Sequence, residues 1–329
     1  MHKRWLNLLI VFVLGFVVPA LILVVQPRRT DNDAVQTDTT EQTPTQSTTE
    51  ESDTQDNKQI LISILQEDGT VTYMDLENYV KCVVLAEMPA SFEVEALKAQ
   101  AVVARTYTLR RLEGNAKHQK ASVCTEPSCC QGFRTEEMYL DHGGTVADVE
   151  RVEGAVSATA GLVLVYGSEL IEATYFSCSG GITEDAAAVW GEEIPYLKST
   201  VSPGEEHAAN YVDTIYLTAD TFADLLDAEL SGRPETWIGK ITYTAGMGVD
   251  TMQIGSNVYQ GTQLRSLLGL RSTAFTITMI GNTVVITTRG YGHRVGMSQY
   301  GADAMAVNGS TFRQILAHYY QGTELIEYS

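Results

Sequence analysis

Positive charge is scarce in this sequence. Lys and Arg total 22 against 41 Asp and Glu, which leaves a net charge of −19 at pH 7. That balance excludes a nucleic-acid binder, whose affinity rests on basic surface. It also means that an anionic substrate must be met by cations concentrated in one place. Cysteine is sparse too. The chain holds five thiols, so at least one lies outside any disulfide pairing. Internal repeats are absent, which excludes solenoids and propellers.

The first apolar feature is the run Trp5 to Val25, 21 residues broken only by Asn7 and Pro19. It is long enough to span a bilayer as a helix, and its length favours a retained signal-anchor over a cleaved signal peptide. Lys3 and Arg4 precede it and Arg28 and Arg29 follow it, so flanking charge sets no clear orientation. The acidic, cysteine-containing bulk is expected outside the cell, with residues 1–29 forming a cytoplasmic tip and membrane helix. Residues 30–57 carry eight acidic and no basic side chains and almost nothing apolar, so they read as a disordered tether. Of the −19, the tether contributes −8 and the four basic flanks +4, leaving −15 on residues 58–329. That stretch is long enough for one large domain or two small ones.

Periodicity gives the expected elements. Ile60 to Leu65 and Val71 to Met74 read as a hairpin across Glu67-Asp-Gly-Thr. Leu76 to Ala86 has helical spacing ended by Pro89, and a second helix is expected from an N-cap at Ser91 to about Arg111. A third covers Val149 to Thr159. Strands follow at Leu162 to Tyr166 and Ile171 to Phe176. Tyr216 to Leu230 looks helical in its second half. From Lys240 short alternating strands set in, and Met305 to Tyr320 closes as one helix. The pattern is α+β, a helical core with mixed sheet and a later β-rich lobe inserted at about 200–285.

Several constellations carry chemistry. Glu87 ends an apolar helix among Val83, Val84, Leu85 and Met88, where desolvation would raise its pKa and suit it to general acid work. On the next helix Lys98, Val102 and Arg105 share a face, so the two cations are expected to look into a cleft beside Glu87. Ser179, Gly180, Gly181 and Thr183 follow an apolar strand, where glycines admit close backbone approach and hydroxyls could bond a sugar; a tight structural turn is the alternative. Glu184 and Asp185 beside them are the candidates if a second carboxylate is needed. Arg289 to Ala302 packs four glycines with His293, Ser298 and Gln299 before a helix. Cys178 with His293 as base is a weaker, thiol-enzyme alternative. His118, Cys124, Cys129 and Cys130 fall within thirteen residues, where a zinc site, a disulfide or free thiols compete.

Three long motifs occur in order: Val84-Leu-Ala-Glu-Met-Pro to Tyr107, Cys178-Ser-Gly-Gly-Ile-Thr-Glu with Val189-Trp-Gly, and Gly290-Tyr-Gly-His to Ala302. Together they resemble the stage II sporulation protein D family, membrane-anchored lytic transglycosylases of endospore-forming bacteria. The resemblance implies cleavage of peptidoglycan glycan strands between N-acetylmuramic acid and N-acetylglucosamine, on strands stripped of stem peptides, leaving 1,6-anhydro ends. It implies Glu87 as catalytic acid, with Lys98, Arg105, Thr183 and Tyr196 linked to function, and no cofactor for catalysis. A structural zinc at the His118, Cys124 and Cys130 region is known for some members, and here Cys129 stands where a His is expected. Arg294 stands where the family loop usually carries glycine. The implied setting is the mother-cell side of the sporulation septum during engulfment, with a wall amidase and a multi-spanning membrane protein as partners. A non-catalytic wall-binding scaffold that activates the amidase is the alternative. The oligomeric state, monomer or homodimer, is open.

A lytic transglycosylase needs one carboxyl group where a glycoside hydrolase normally uses two, because the sugar's own C6 hydroxyl attacks C1. Lys98 or Arg105 is then expected to hold the lactyl carboxylate of muramic acid.

Overall fold

The computed structural model describes residues 59–328 apart from Asn210. The apolar run and the tether lie outside the described residues, and no described helix is long and apolar enough to cross a membrane.

Two helices make the frame. The first, α1, spans Leu76–Glu87; the Asp75 carboxylate caps it by accepting from the Glu77 and Asn78 amides. Tyr79, Val80, Val83 and Val84 form its buried stripe, and Pro89 prevents its continuation. The second, α2, spans Val94–Arg110 and is buried on nearly every side, with Ala96, Ala99, Ala101 and Ala104 letting neighbours approach closely. It packs against α1, the helices Val146–Ser157, Gln299–Val307 and Phe312–Tyr319, and the strand Leu162–Tyr166. Its N-cap is Glu93 rather than Ser91. No side chain of its own caps it; Asp303 Oδ1, from a distant helix, accepts the Glu93 amide at 2.7 Å. A tertiary partner thus replaces the local cap.

Small sheets surround this frame. Leu61–Leu65 pairs antiparallel with Val71–Asp75 and parallel with Val123–Cys124. Leu162–Tyr166 lies between Glu324–Glu327 and Glu169–Leu170, both antiparallel. Tyr175–Phe176 runs parallel to Met297–Ser298, which brings two sequence-distant motifs side by side. The single strand expected over 171–176 is thus broken, because its two ends find different partners. The closing helix is also two helices, Gln299–Val307 and Phe312–Tyr319, separated at Asn308-Gly309-Ser310; Thr311 starts the second with a capping box to Gln314.

Residues 212–289 build a second hydrophobic cluster around Phe222, Met252, Ile254, Leu264, Val284 and Ile286. It rests on two antiparallel three-stranded sheets, one of Val212–Thr218, Phe275–Ile280 and Thr283–Arg289, the other of Ile238–Tyr243, Val249–Ile254 and Asn257–Gln260. The segment 216–230, expected to turn helical in its second half, is strand to Thr218 and helix over Ala219–Leu225. Arg294 fastens this part to the frame. Fully buried, it donates to the carbonyls of Ser179, Ile182 and Gly246 and pairs with the buried Glu184 at 3.0 Å. Thr244 and the Gly248 amide also bond Glu184. Arg294 thus acts as a bolt between the two clusters.

Candidate active site

Glu87 occupies the last turn of α1 and borders two adjoining cavities of about 1160 and 410 Å³. Ser177 and Gln299 also line both, so the carboxyl stands where the two wings of one cleft meet. Burial raises the Glu87 pKa above the usual glutamate value. A backbone bond from the Gly132 amide and polar contacts from Tyr175 and Gln299 offset part of that rise. The Tyr175 hydroxyl also meets Gln131 Oε1 at 3.2 Å, and Gln131 Nε2 donates to Thr108 on α2 at 3.0 Å. Gln299 Nε2 is buried without a hydrogen bond of normal geometry. The site therefore holds a desolvated acid with its donors fixed by three separate elements.

Gly132 is a functional position that the sequence did not reveal. A Cβ there would stand 2.9 Å from Glu87 Oε1, so a larger residue would push the carboxyl away from the position where it accepts the backbone amide. Gln131 was missed likewise, and Tyr175, which opens the stretch leading to the Ser-Gly-Gly turn, was read only as part of the strand before it.

Of the expected binding residues, Tyr196, His293 and Gln299 line the large wing. The others lie elsewhere. Arg105 is fully buried and forms a two-point pair with Glu77 on α1, Nε to Oε1 at 2.8 Å and Nη2 to Oε2 at 2.6 Å, with the Leu162 carbonyl as a further acceptor. Lys98 pairs with Glu95 at 2.7 Å, whose other oxygen accepts the Phe312 amide. The expectation that both cations face the cleft assumed that α2 has a polar face. Along most of its length it has none, and the carboxylates of Glu95 and Glu77 take up these two cations.

The Ser-Gly-Gly turn is likewise turned inward. The buried Glu205 accepts from the Ser179 amide and hydroxyl and from the Gly180 amide, and the Gly181 amide bonds Ser179 Oγ. Thr183 is buried against Thr200. None of the four lines either wing. Glu184 is consumed by Arg294, and Asp185 accepts the Ser199 amide, so neither is a second carboxylate at Glu87.

His293 sits between the rings of Phe176 and Trp190, and its Nδ1 accepts the Val295 amide at 3.1 Å. Burial and the nearby Arg265 push its pKa down to about 4, so it is neutral at physiological pH. Burial pushes the Cys178 thiol up to about 11. A fully buried thiol held neutral, on a residue whose backbone is bridged to Tyr291, does not make a nucleophile, which disfavours the thiol-enzyme alternative.

The donor atoms of His118, Cys124, Cys129 and Cys130 all lie within 4.8 Å of one another. His118 Nε2 is 3.6 and 3.5 Å from the Cys129 and Cys130 sulfurs, which are 4.0 Å apart, and none of these cysteines is in a disulfide. Four soft donors at these separations suit a tetrahedral metal ion and leave no open coordination position. The same loop runs directly into Gln131 and Gly132.

A profile of the stage II sporulation protein family matches residues 66–166, the span that carries Glu87 and the metal-ligand cluster. The chain is 40% identical over 263 residues to stage II sporulation protein D of Bacillus subtilis, covering 78% of this chain and 76% of the relative. It is 38% identical over 263 residues to the protein of the same name from Bacillus amyloliquefaciens, with the same coverage. A B. subtilis protein named amidase enhancer is 30% identical over 302 residues, 75% of this chain but 40% of that relative. The chain belongs to the stage II sporulation protein D family.

Proposed function

We propose that the domain is a peptidoglycan lytic transglycosylase that cleaves between N-acetylmuramic acid and N-acetylglucosamine on peptide-stripped strands. The observation that carries this reading is one buried carboxyl of raised pKa at the junction of a two-winged cleft, with no second buried and unpaired carboxylate lining it among the described residues. Of the other carboxylates on the cleft, Glu172 is paired with two arginines and Glu192 and Glu193 are exposed. A hydrolase of either stereochemical course would need a placed partner.

In the proposed reaction Glu87 starts protonated and gives its proton to the glycosidic oxygen as the C1–O bond breaks. The C6 hydroxyl of the same muramic acid bonds to C1 and returns its proton to Glu87. No water is consumed and the acid is regenerated. The Gly132 amide, Tyr175 and Gln299 would hold the carboxylate formed between the two transfers. His118, Cys124, Cys129 and Cys130 would hold a structural zinc ion, which when bound would fix the loop leading to Gly132. The apolar run Trp5 to Val25 would tether the domain to the mother-cell membrane at the septum, with a wall amidase and a multi-spanning membrane protein as partners.

The relative named amidase enhancer favours a second reading, a wall-binding activator of an amidase with no cleavage of its own. Glu87→Gln separates the two. A transglycosylase variant should still bind denuded strands but lose cleavage. Unchanged wall processing by the variant would favour the activator.

A further inference from the structure

With Lys98 and Arg105 engaged elsewhere, the cleft draws its positive charge from another place. Arg110 and Arg111 are consecutive at the end of α2, where the helix widens into a π turn over Arg111–Asn115. Both line the large wing, as does Lys117. The two guanidiniums share a single carboxylate: Arg110 Nε meets Glu172 Oε2 at 3.1 Å and Arg111 Nη2 bonds Glu172 Oε1. One negative charge therefore stands against two positive ones. Arg111 is mostly buried over the Tyr107 ring, 4.4 Å from its centroid, and its Nε has no hydrogen-bond partner. Lys117 approaches the same ring at 5.8 Å and donates to the Cys129 carbonyl. In a domain this acidic, three cations gathered on one wall of a cleft, with one direct counter-ion, make the wall a receptor for an anion. The exposed Glu192 and Glu193, which also line this wing, would turn away anions that lack a place on that wall.

We propose that Arg110, Arg111 and Lys117 form an anion subsite that receives the free lactyl carboxylate of a muramic acid, an inference that rests on the glycan-cleaving reading. The same carboxyl is an uncharged amide in a strand that keeps its stem peptide. At the lactyl position a cationic wall gains a charge-assisted bond only from the stripped strand, so selection for stripped strands is built into the end of α2.

Binding to the full-length Glu87→Gln protein tests this, with three probes: a denuded glycan oligomer, the same oligomer with its lactyl carboxylates converted to methylamides, and a chitooligosaccharide that has no lactyl group. The free acid should bind at least about tenfold more tightly than the methylamide, as expected for a charge-assisted contact. That preference should shrink with added salt. Adding Arg110→Gln and Lys117→Gln should bring the ratio toward one while leaving methylamide affinity unchanged. The more buried Arg111 is tested as Arg111→Lys, which keeps charge but loses the fork, with melting temperature as a folding control. A ratio near one in the parent, or one that these substitutions leave intact, overturns the subsite alone. Failure of the parent to bind any of the three oligomers overturns the glycan reading with it.

Discussion

At the scale of single residues, the proposed chemistry turns on how Glu87 is kept protonated and aimed. Burial raises its pKa, so the folded chain keeps this proton to a higher pH than the unfolded chain does. Stability associated with the group is therefore full below the ordinary glutamate value. It is lost as pH rises through the raised value and stays lost above it. Glu87→Gln does not titrate, so the variant should melt higher than the parent at neutral pH, with the gap closing as pH falls toward about 4. Melting curves across that range check it, and a gap independent of pH would contradict it. Gly132→Ala should act on catalysis more than on stability. Its Cβ would meet Glu87 Oε1 at 2.9 Å and displace the carboxyl, and a displacement of this kind costs on the order of 100-fold in rate. Turnover measured beside a melting curve separates the two effects. Glu87 was legible in the sequence because a lone acid at the end of an apolar helix is conspicuous. Gly132 and Tyr175 were not, because what they do depends on a loop and a strand arriving at α1 from elsewhere.

At the scale of elements, the central helix α2 explains why two cations read as cleft residues are not. Arg105 ties α2 to Glu77 at the first turn of α1, and Glu87 stands at the other end of α1. Arg105→Leu leaves a carboxylate without its partner, though one about a third exposed, with side-chain exposure of 35%. The expected cost is roughly 2–3 kcal/mol, less than for a fully buried pair. Denaturant midpoints check this; a variant of unchanged stability that loses only glycan binding would return Arg105 to the cleft. The cysteine loop makes a second prediction. Chelation should lower the melting temperature, and the Cys124→Ala protein should no longer respond to chelator, because a closed four-donor site contributes its binding energy to folding. Element existence was largely readable from periodicity, as α1, the strand at 162–166 and the later hairpins attest. Boundaries failed where tertiary partners decide: Asp303 moved the start of α2, and the split at Asn308-Gly309-Ser310 divided the closing helix. The Ser-Gly-Gly turn reads alike in sequence whether it faces a ligand or a buried carboxylate, and only the fold brings Glu205 to it.

At the scale of the whole molecule, an acidic chain gathers Arg110, Arg111 and Lys117 along its large wing and places a buried acid of raised pKa where the wings of the cleft meet. The net charge ruled out nucleic acid from the start, but the site of the compensating cations required the fold. The arrangement asks for a substrate that threads past Glu87 in both directions and supplies its own nucleophile. The most direct test is mass analysis of the products released from purified denuded glycan by the wild-type protein, with Glu87→Gln alongside. The account predicts muramic ends in the 1,6-anhydro form, carrying no added water, from the wild type and none from the variant. Reducing ends that incorporate solvent oxygen, or cleavage that survives in Glu87→Gln, would contradict it.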